Sequence, residues 1–455
     1  MGTGVLANAA WAKRGANVNA SLFPRSPYGG MGRRGGKSEF AREERGAMST
    51  ETVMLVGRYL LHLIDCGLHG GAAQRLPAGV SWQQVHALAA SQSVEGVSWF
   101  GARTCSDVPS ELRKQWESEA QATLFRRVRF DVEREQVFAA LNTVGLAVLP
   151  MKGSVIADYY PSPEMRSMAD NDFLYGFVGE NPEGAGFRIC GETPAARKAT
   201  TERGVRAIVD VMRRRGYSVA SQRVGNHESF HKPPIFNFEP HRRLAAPDSS
   251  LAGYYENPWQ RALQDATNPL LFGFNDEDEY LFVIAHAYKH FSNAGCGFRF
   301  VVDVRAFLDA RGMQMNWDYV FDELQKMGLF DFEARVRGLA DAAFGGTCTL
   351  DAPLSGGQLE MLRFMLGSGT YGTIERVVRK RLEKQKGTHK GNLAAAKCGY
   401  LLQRLTDPVA VEAHFPRASK IAPLRPVLQL ARYARGIVRN PKKLTNEVKL
   451  LMKEE

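Results

Sequence analysis

Apolar residues recur at helical spacing along the chain from about residue 50 to residue 143. Trp82, Val85 and Leu88 follow the spacing of an amphipathic helix, and a second, charged helix with an apolar stripe is predicted over 124–141. Gly145 is typical of the residue after a helix end. The apolar run 146–149 then predicts a short buried strand. Residues 48–143 are therefore predicted to form a helical N-terminal region.

The middle of the chain alternates between short strand patterns and turn-forming residues. Strands are predicted around Asp170, at 217–220 and at 235–239, with an amphipathic helix over 197–215 and an exposed Gly/Pro-rich loop over 176–195. From residue 276 the pattern is helical again. The predicted fold is α+β: a small mixed β-sheet core (144–275) flanked by the N-terminal helices, a helical region (276–365) and a basic helical C-terminal region (366–455).

The first 47 residues differ from the rest. They are rich in Gly, Ala, Asn and Arg, include the run GGMGRRGGK, and show no sustained period. Such a composition cannot bury enough surface to order itself. Met48 is followed by STETVMLVGRYLLHLI, a pattern that predicts a helix with a capped N-terminus. We therefore predict that 1–47 is a disordered leader, or an extension that arises from assigning the start codon too far upstream.

The amino-acid composition favours a soluble protein and argues against a disulfide-rich, zinc-binding or membrane-spanning one. The chain has 455 residues, of which 44% are apolar and 24% charged, as expected for a soluble protein of more than one domain. Its six cysteines form no C-x-x-C pair, which argues against a zinc site or disulfide framework and favours the reducing cytoplasm. No apolar stretch reaches the roughly 18 to 20 residues of a membrane span.

The net charge of +11 is unevenly distributed. Residues 417–455 hold ten Lys or Arg against three acidic residues, a net charge of +7. Such a tail can contact nucleic acid, anionic lipid or an acidic partner, or it can be no more than a solvated helical face.

Two aspartates one residue apart are the strongest chemical signal. On a strand, Asp170 and Asp172 project from one face, where their mutual repulsion calls for a cation, and Mg²⁺ suits such a site. Upstream, Gly153 and Ser154 lie at a predicted strand-to-helix turn, where backbone amides can approach a phosphate. The alternatives are a solvated edge strand and an ordinary turn. Together the two features favour phosphoryl or nucleotidyl transfer.

Four further residues are candidates for the same site. Glu239 ends a strand-like run and offers a third carboxylate, which a two-metal site needs. His241 shares its face and would contact substrate or orient Glu239. Lys152 and Arg166 are candidate phosphate contacts. Surface positions without a catalytic role are the alternative for each of the charged residues.

A pair of histidines resembles a metalloprotease motif but lacks its base. His286 and His290 are four residues apart in HAYKH, yet position 287 is Ala where that motif needs Glu. We predict a packing or hydrogen-bonding role for the pair, with Asp303 as a candidate partner.

The run MKGSVIADYYPSPEMRSMADNDFL (151–174) resembles the signature of the uncharacterised nucleotidyltransferase family of the polymerase-beta-like superfamily. Its members carry a Lys-Gly pair, a Tyr-Tyr-Pro-like turn, an Arg and then Asp-x-Asp. SWQQVHALA, FNFEPHRRL, AHAYKHF and FRFVVDVRAFL resemble further family segments in consistent order, so that the resemblance covers roughly 50–345. Asn171 departs from the pattern, because members usually carry an apolar residue there.

The resemblance implies a reaction and a site. Gly153 and Ser154 would hold the triphosphate of an NTP, and Asp170, Asp172 and Glu239 would coordinate two Mg²⁺ ions. A nucleoside monophosphate would pass to a hydroxyl of a sugar, a lipid-linked glycan precursor, a protein or an RNA, with release of pyrophosphate. The alternative is a catalytically silent nucleotide-binding protein that docks to a membrane surface or partner through its basic tail.

Overall fold

A computed structural model describes the protein over residues 49–222, 225–293, 295–346, 353–370, 374–388, 392–406 and 421–439, and at residues 411 and 415. The predictions for residues 1–47 lie outside this part, as does much of the basic tail. A mixed five-stranded sheet with flanking helices confirms the predicted α+β class. The boundaries between the regions stay a prediction.

The N-terminal region is helical, as its apolar spacing predicts. Its four helices are α1 Thr50–His69, α2 Trp82–Gln92, α3 Glu95–Ala102 and α4 Ser110–Asn142. The Ser49 hydroxyl accepts a hydrogen bond from the Thr52 amide, and Ser81 and Gln84 form a capping box. Helix α4 begins well before the predicted 124, directly after Pro109.

The sheet is built from five strands in the order β1-β2-β7-β6-β5. In chain order these are β1 Ala147–Met151, β2 Asn171–Gly176, β5 Ser218–Ser221, β6 Ser229–Lys232 and β7 Phe236–His241. Strands β2 and β7 are parallel, and the other neighbours are antiparallel. The sheet is therefore mixed, as predicted, although the sequence patterns did not indicate β6.

The predicted loop over 176–195 is wrong in part. It contains a hairpin of β3 Val178–Glu180 and β4 Phe187–Ile189, in which Val178 lies opposite Ile189. The hairpin was hidden because its strands are only three residues long and are separated by Gly- and Pro-containing turn residues. A further short pair, β8 Leu263–Gln264 and β9 Phe272–Gly273, follows β7.

The remaining helices lie around and beyond the sheet. They are α5 Gly153–Ile156, α6 Pro194–Arg214, α7 Asp276–Asn293, α8 Arg299–Arg311, α9 Trp317–Met327, α10 Phe330–Ala343, α11 Gly356–Ser368, α12 Ile374–Thr388, α13 Leu393–Thr406 and α14 Arg425–Arg439.

The two faces of the sheet belong to different apolar clusters. Phe173 and Phe238 on one face pack with Phe130 of α4 and Ile208 of α6. Leu174 on the other face joins a larger cluster with the N-terminal helices and α7 to α11. The second face therefore lies between the sheet and the helical regions, so any charged residue on it is partly removed from water.

Asn171, the polar residue between Asp170 and Asp172, has a buried partner. Asn171 is fully buried, and its Oδ1 accepts a hydrogen bond from Arg134 Nη1 at 3.2 Å. Arg134, itself buried, also pairs with Asp131 one turn earlier on α4, at 2.8 Å. The amide oxygen of Asn171 is thus matched by an arginine that α4 supplies.

A histidine at the end of α1 makes stability depend on pH. His69 Nε2 lies 3.3 Å from Asp309 Oδ2 and His69 Nδ1 2.9 Å from Asp65 Oδ1. Hydrogen bonds to these carboxylates, Asp309 first, raise the pKa of His69 to about 10 although burial opposes the shift. Because the folded pKa exceeds the unfolded pKa of about 6.5, the pairing contributes fully below pH 6.5 and is lost as pH rises toward 10.

We expect His69→Gln to lower the free energy of unfolding by about 1 kcal/mol at pH 6, since partly exposed ion pairs are screened by solvent. The loss should shrink toward zero at pH 10. Urea unfolding at both pH values measures the difference, with the exposed His231→Gln as control. An equal loss at both pH values would contradict the ion-pair explanation.

Candidate active site

The register of three strands brings several of the predicted site residues to one place on the sheet. Across the parallel β2–β7 pair, Asp172 lies opposite Glu239 and Leu174 opposite His241. Across the antiparallel β1–β2 pair, Asp172 lies opposite Met151, so that Lys152 follows directly. Two of the three predicted carboxylates are therefore neighbours on one face of adjacent strands, as alternation along a strand requires.

Asp172 is buried and has two short polar contacts. Its Oδ1 lies 2.6 Å from Lys152 Nζ and 2.9 Å from His241 Nε2, and the residue is only 5% exposed. Although burial opposes ionisation, the Lys152 ammonium and the His241 hydrogen bond hold the pKa of Asp172 well below its usual value. Asp172 is therefore a carboxylate at neutral pH.

His241 is held neutral by its surroundings. Burial, followed by the Lys152 charge, lowers the pKa of His241 to about 3 despite the nearby Asp172. Its Nε2 lies 3.1 Å from Lys152 Nζ as well as 2.9 Å from Asp172 Oδ1. With its proton on Nε2 the ring donates to Asp172, and with its proton on Nδ1 it accepts from Lys152.

Lys152 reaches Asp172 from an uncommon backbone conformation. Its φ of 57° and ψ of −127° fall in a region that non-glycine residues rarely adopt, at a cost of about 1 to 3 kcal/mol. The residue lies at the turn between β1 and α5, where Gly153 begins the short helix. Strain of this kind persists only where surrounding contacts hold it, and it commonly marks functional sites.

Glu239 differs from Asp172 in its protonation. Burial, together with the charges of Asp172 and Asp170, raises the pKa of Glu239 to about 7. Asp170 immediately precedes β2 and is half-buried, and its charge is among the causes that raise the pKa of Glu239. Glu239 is therefore protonated in part near pH 7.

Histidines add further ligand atoms beside Glu239. His227 Nε2 lies 3.6 Å from Glu239 Oε2, and the rings of His227 and His241 are 4.9 Å apart. One ligand atom from each of His227, Glu239 and His241 lies within 4.8 Å of the others. This group can hold a metal ion, and its carboxylate comes from one of the predicted metal ligands.

Helix α7 carries two titratable residues whose pKa values respond to Lys152. Burial and then the Lys152 charge lower the pKa of His286 and of Lys289, and Lys289 is exposed at the surface. His286 Nε2 lies 3.2 Å from His290 Nε2, and both rings contact Phe300. The predicted packing role of the two histidines is consistent with these contacts. Lys289 was missed, although its i, i+3, i+4 spacing with the histidines was a signal.

Arg166 lies beneath the turn rather than in the open pocket. Its Nε and Nη2 donate to Asp303 at 2.7 and 3.0 Å, and its Nη1 lies 3.3 Å from the Gly153 carbonyl oxygen. Asp303 also accepts from the Tyr160 hydroxyl at 2.7 Å, so it pairs with these residues and not with the histidines of α7.

The hydroxyl of Ser154 is also engaged within the turn. Ser154 is buried, and its Oγ donates to the Met151 carbonyl at 3.0 Å. The Ser154 side chain therefore holds the turn in place.

The family model for proteins described as uncharacterised nucleotidyltransferases matches residues 78–176 and 200–345, more than half of the chain. The chain belongs to this family, as the sequence resemblance indicated. Neither the curated proteins nor the solved structures include a significant match. Family membership supports nucleotidyl transfer in general and gives no acceptor.

The turn that carries Lys152 should be sensitive to a single methyl group. A Cβ added to Gly153 would lie 2.9 Å from Arg166 Nη1, and this guanidinium is fixed by Asp303. We expect Gly153→Ala to lower the free energy of unfolding by about 1 to 3 kcal/mol through overpacking. Chemical denaturation measures the loss. Gly253→Ala is the matched control because its Cβ would meet nothing within 4 Å, and an equal loss in both variants would contradict the proposed clash.

Proposed function

We propose that the protein is a metal-dependent nucleotidyltransferase that passes a nucleoside monophosphate from an NTP to a hydroxyl acceptor. The observation that carries this proposal is the pairing of Asp172 with Glu239 across β2 and β7, with Asp170 close enough to raise the pKa of Glu239. Family membership supports the same reaction class.

The residues of the pocket fit a divalent cation. The site combines the carboxyl groups of Asp170, Asp172 and Glu239. Burial, and then the charges of Asp172 and Asp170, raise the pKa of Glu239, and a bound cation would offset those charges. Mg²⁺ prefers a few carboxylates together with phosphate oxygens, and we propose that these three residues hold two such ions. Bound Mg²⁺ supplies charge neutralisation at the phosphates and lowers the pKa of the acceptor hydroxyl.

The basic groups of the pocket would bind the triphosphate. Lys152 contacts Asp172 from the turn after β1, and Lys289 is an exposed residue of α7 whose pKa is lowered by burial and by the Lys152 charge. Ammonium groups act as point charges toward phosphate oxygens. Gly153 and Ser154 would contribute their backbone amides, because the Ser154 hydroxyl is engaged by Met151. Arg166, also expected to contact phosphate, would instead position the turn through Asp303 and the Gly153 carbonyl.

His241 would act as a positioning residue as well as a candidate substrate contact. As a neutral imidazole it can donate to Asp172 Oδ1, which fixes the orientation of that carboxylate. Because the His241 side chain is buried, we assign it no direct role in proton transfer. The acceptor is proposed only as a hydroxyl of a sugar, a glycan precursor, a protein or an RNA.

Replacing either aspartate by asparagine should greatly reduce nucleotidyl transfer. We expect Asp170→Asn and Asp172→Asn each to reduce pyrophosphate release and labelling from α-labelled NTP by roughly a hundredfold or more. The assay combines the four NTPs with cell extract as the source of acceptor. Asp248→Asn, at an exposed loop position, is the matched control. Equal labelling by the wild type and both variants would show that the site is assigned wrongly.

The same assay, together with calorimetry, distinguishes the enzyme from a catalytically silent nucleotide-binding protein. A protein that only binds nucleotide would bind NTP in calorimetry but would release no pyrophosphate with any acceptor fraction. The compact, charge-rich pocket is compatible with such binding, and turnover is the measurement that decides between the two functions.

Metal binding should depend on pH through Glu239. Because its pKa is raised to about 7, the side chain is largely protonated at pH 6 and ionised at pH 8, and only the ionised form ligates. We expect the affinity for Mg²⁺ to rise over this range, with proton release on binding near pH 7. Calorimetry in buffers of different ionisation enthalpy measures both. Glu239→Gln should remove the proton release, and its persistence in that variant would assign the release to another group.

A further inference from the structure

The C-terminal helix α14 presents an apolar face to solvent. Val427, Leu430, Ala431 and Ala434 are spaced i, i+3, i+4 and i+7, which places them on one side of the helix, and all four are exposed. Val427 is 61% and Leu430 68% exposed. These are large values for aliphatic side chains that share one helical face.

Two polar residues of the same helix are less exposed than its apolar face. Gln429 is buried and Arg432, three residues later, is half-buried, on the side of α14 opposite Val427 and Leu430. Helix α14 contacts α13. A surface helix of a water-soluble domain shows the reverse arrangement, with its apolar stripe toward the core. An exposed apolar face of this kind marks a surface that something else covers.

Exposed apolar side chains are concentrated in this part of the chain. Of the thirteen large apolar side chains that are exposed among the described residues, six lie between residues 401 and 430. Besides the two on α14 they are Leu401, Leu402, Ile421 and Leu424. The apolar surface therefore extends to α13 and to the segment that leads into α14.

The charge of the helix indicates what covers it. Helix α14, RPVLQLARYARGIVR, contains four arginines and no acidic residue. The sequence that follows it adds Lys442, Lys443, Lys449 and Lys453. An apolar face combined with a net positive charge complements a surface that is apolar below and anionic above, which is the interface of a membrane that contains anionic lipid.

We propose that α14 binds in the plane of an anionic membrane surface. Its exposed apolar face would enter the boundary between head groups and acyl chains, and the net positive charge of the helix and of the sequence that follows it would attract anionic lipid. At fifteen residues the helix lies on the bilayer without crossing it, and none of the helices in the described ranges is long and apolar enough to span a membrane. The proposal does not depend on the transfer reaction.

Vesicle binding by the full chain tests the proposal. The wild type should co-sediment with vesicles of phosphatidylcholine and phosphatidylglycerol, and binding should fall with phosphatidylcholine alone or at high salt. The double variant Val427→Asp, Leu430→Asp should lower the bound fraction by about tenfold, since it removes the apolar contact. The matched control, Val128→Asp with Val132→Asp, changes two similarly exposed apolar residues of α4 and should bind like the wild type.

Three outcomes would overturn the proposal. The first is a wild type that does not bind the anionic vesicles. The second is a Val427, Leu430 double variant that binds as well as the wild type, which would leave a charge effect alone. The third is a change of oligomeric state in that variant by light scattering, which would show that a second copy covers the face. Circular dichroism and thermal unfolding confirm that both double variants are folded.

Discussion

The candidate active site depends on a buried ion pair that lies outside it. Arg166 and Asp303 are 6% and 1% exposed and share two hydrogen bonds, and Tyr160 donates a third to the same carboxylate. Removing one partner of such a pair leaves an uncompensated buried charge, at a cost of about 3 to 5 kcal/mol. The pair ties the turn after β1 to α8. The position of Lys152 is thus set by a helix more than a hundred residues downstream.

Electrostatics within the pocket divide the acids into two kinds. Asp172 has a cation and an imidazole on one oxygen, and its pKa stays low. Glu239 lies across the strand pair with less positive charge near it, and its pKa rises to about 7. The difference follows from register, because Lys152 comes directly after the residue paired with Asp172. Asp172 already has a cationic partner, whereas the pKa of Glu239 is raised. A further cation could therefore bind beside Glu239.

Sequence patterns predicted the α+β class, the N-terminal helices and the strand that carries Asp172, because apolar period and turn residues are local signals. They missed β6 and the β3–β4 hairpin, whose strands are too short to show a period. They also indicated Arg166 as a phosphate contact, whereas its guanidinium is engaged by Asp303, 137 residues away, and such a pairing leaves no local trace. Asn171 was unexplained for the same reason, since Arg134 lies on a different element.

Two regions reverse the usual distribution of polar and apolar residues. Around Asp172, charged groups crowd a mostly buried face of the sheet, and on α14 an aliphatic face meets solvent while Gln429 is buried. In α1 and α2, by contrast, the polar caps and the buried apolar side chains agree with the helical pattern of the sequence. Natural proteins tend to break such agreement where they function. In the proposed functions, each reversal would be relieved by something that the chain does not itself supply, namely cations and phosphates at the site and an apolar, anionic surface at α14.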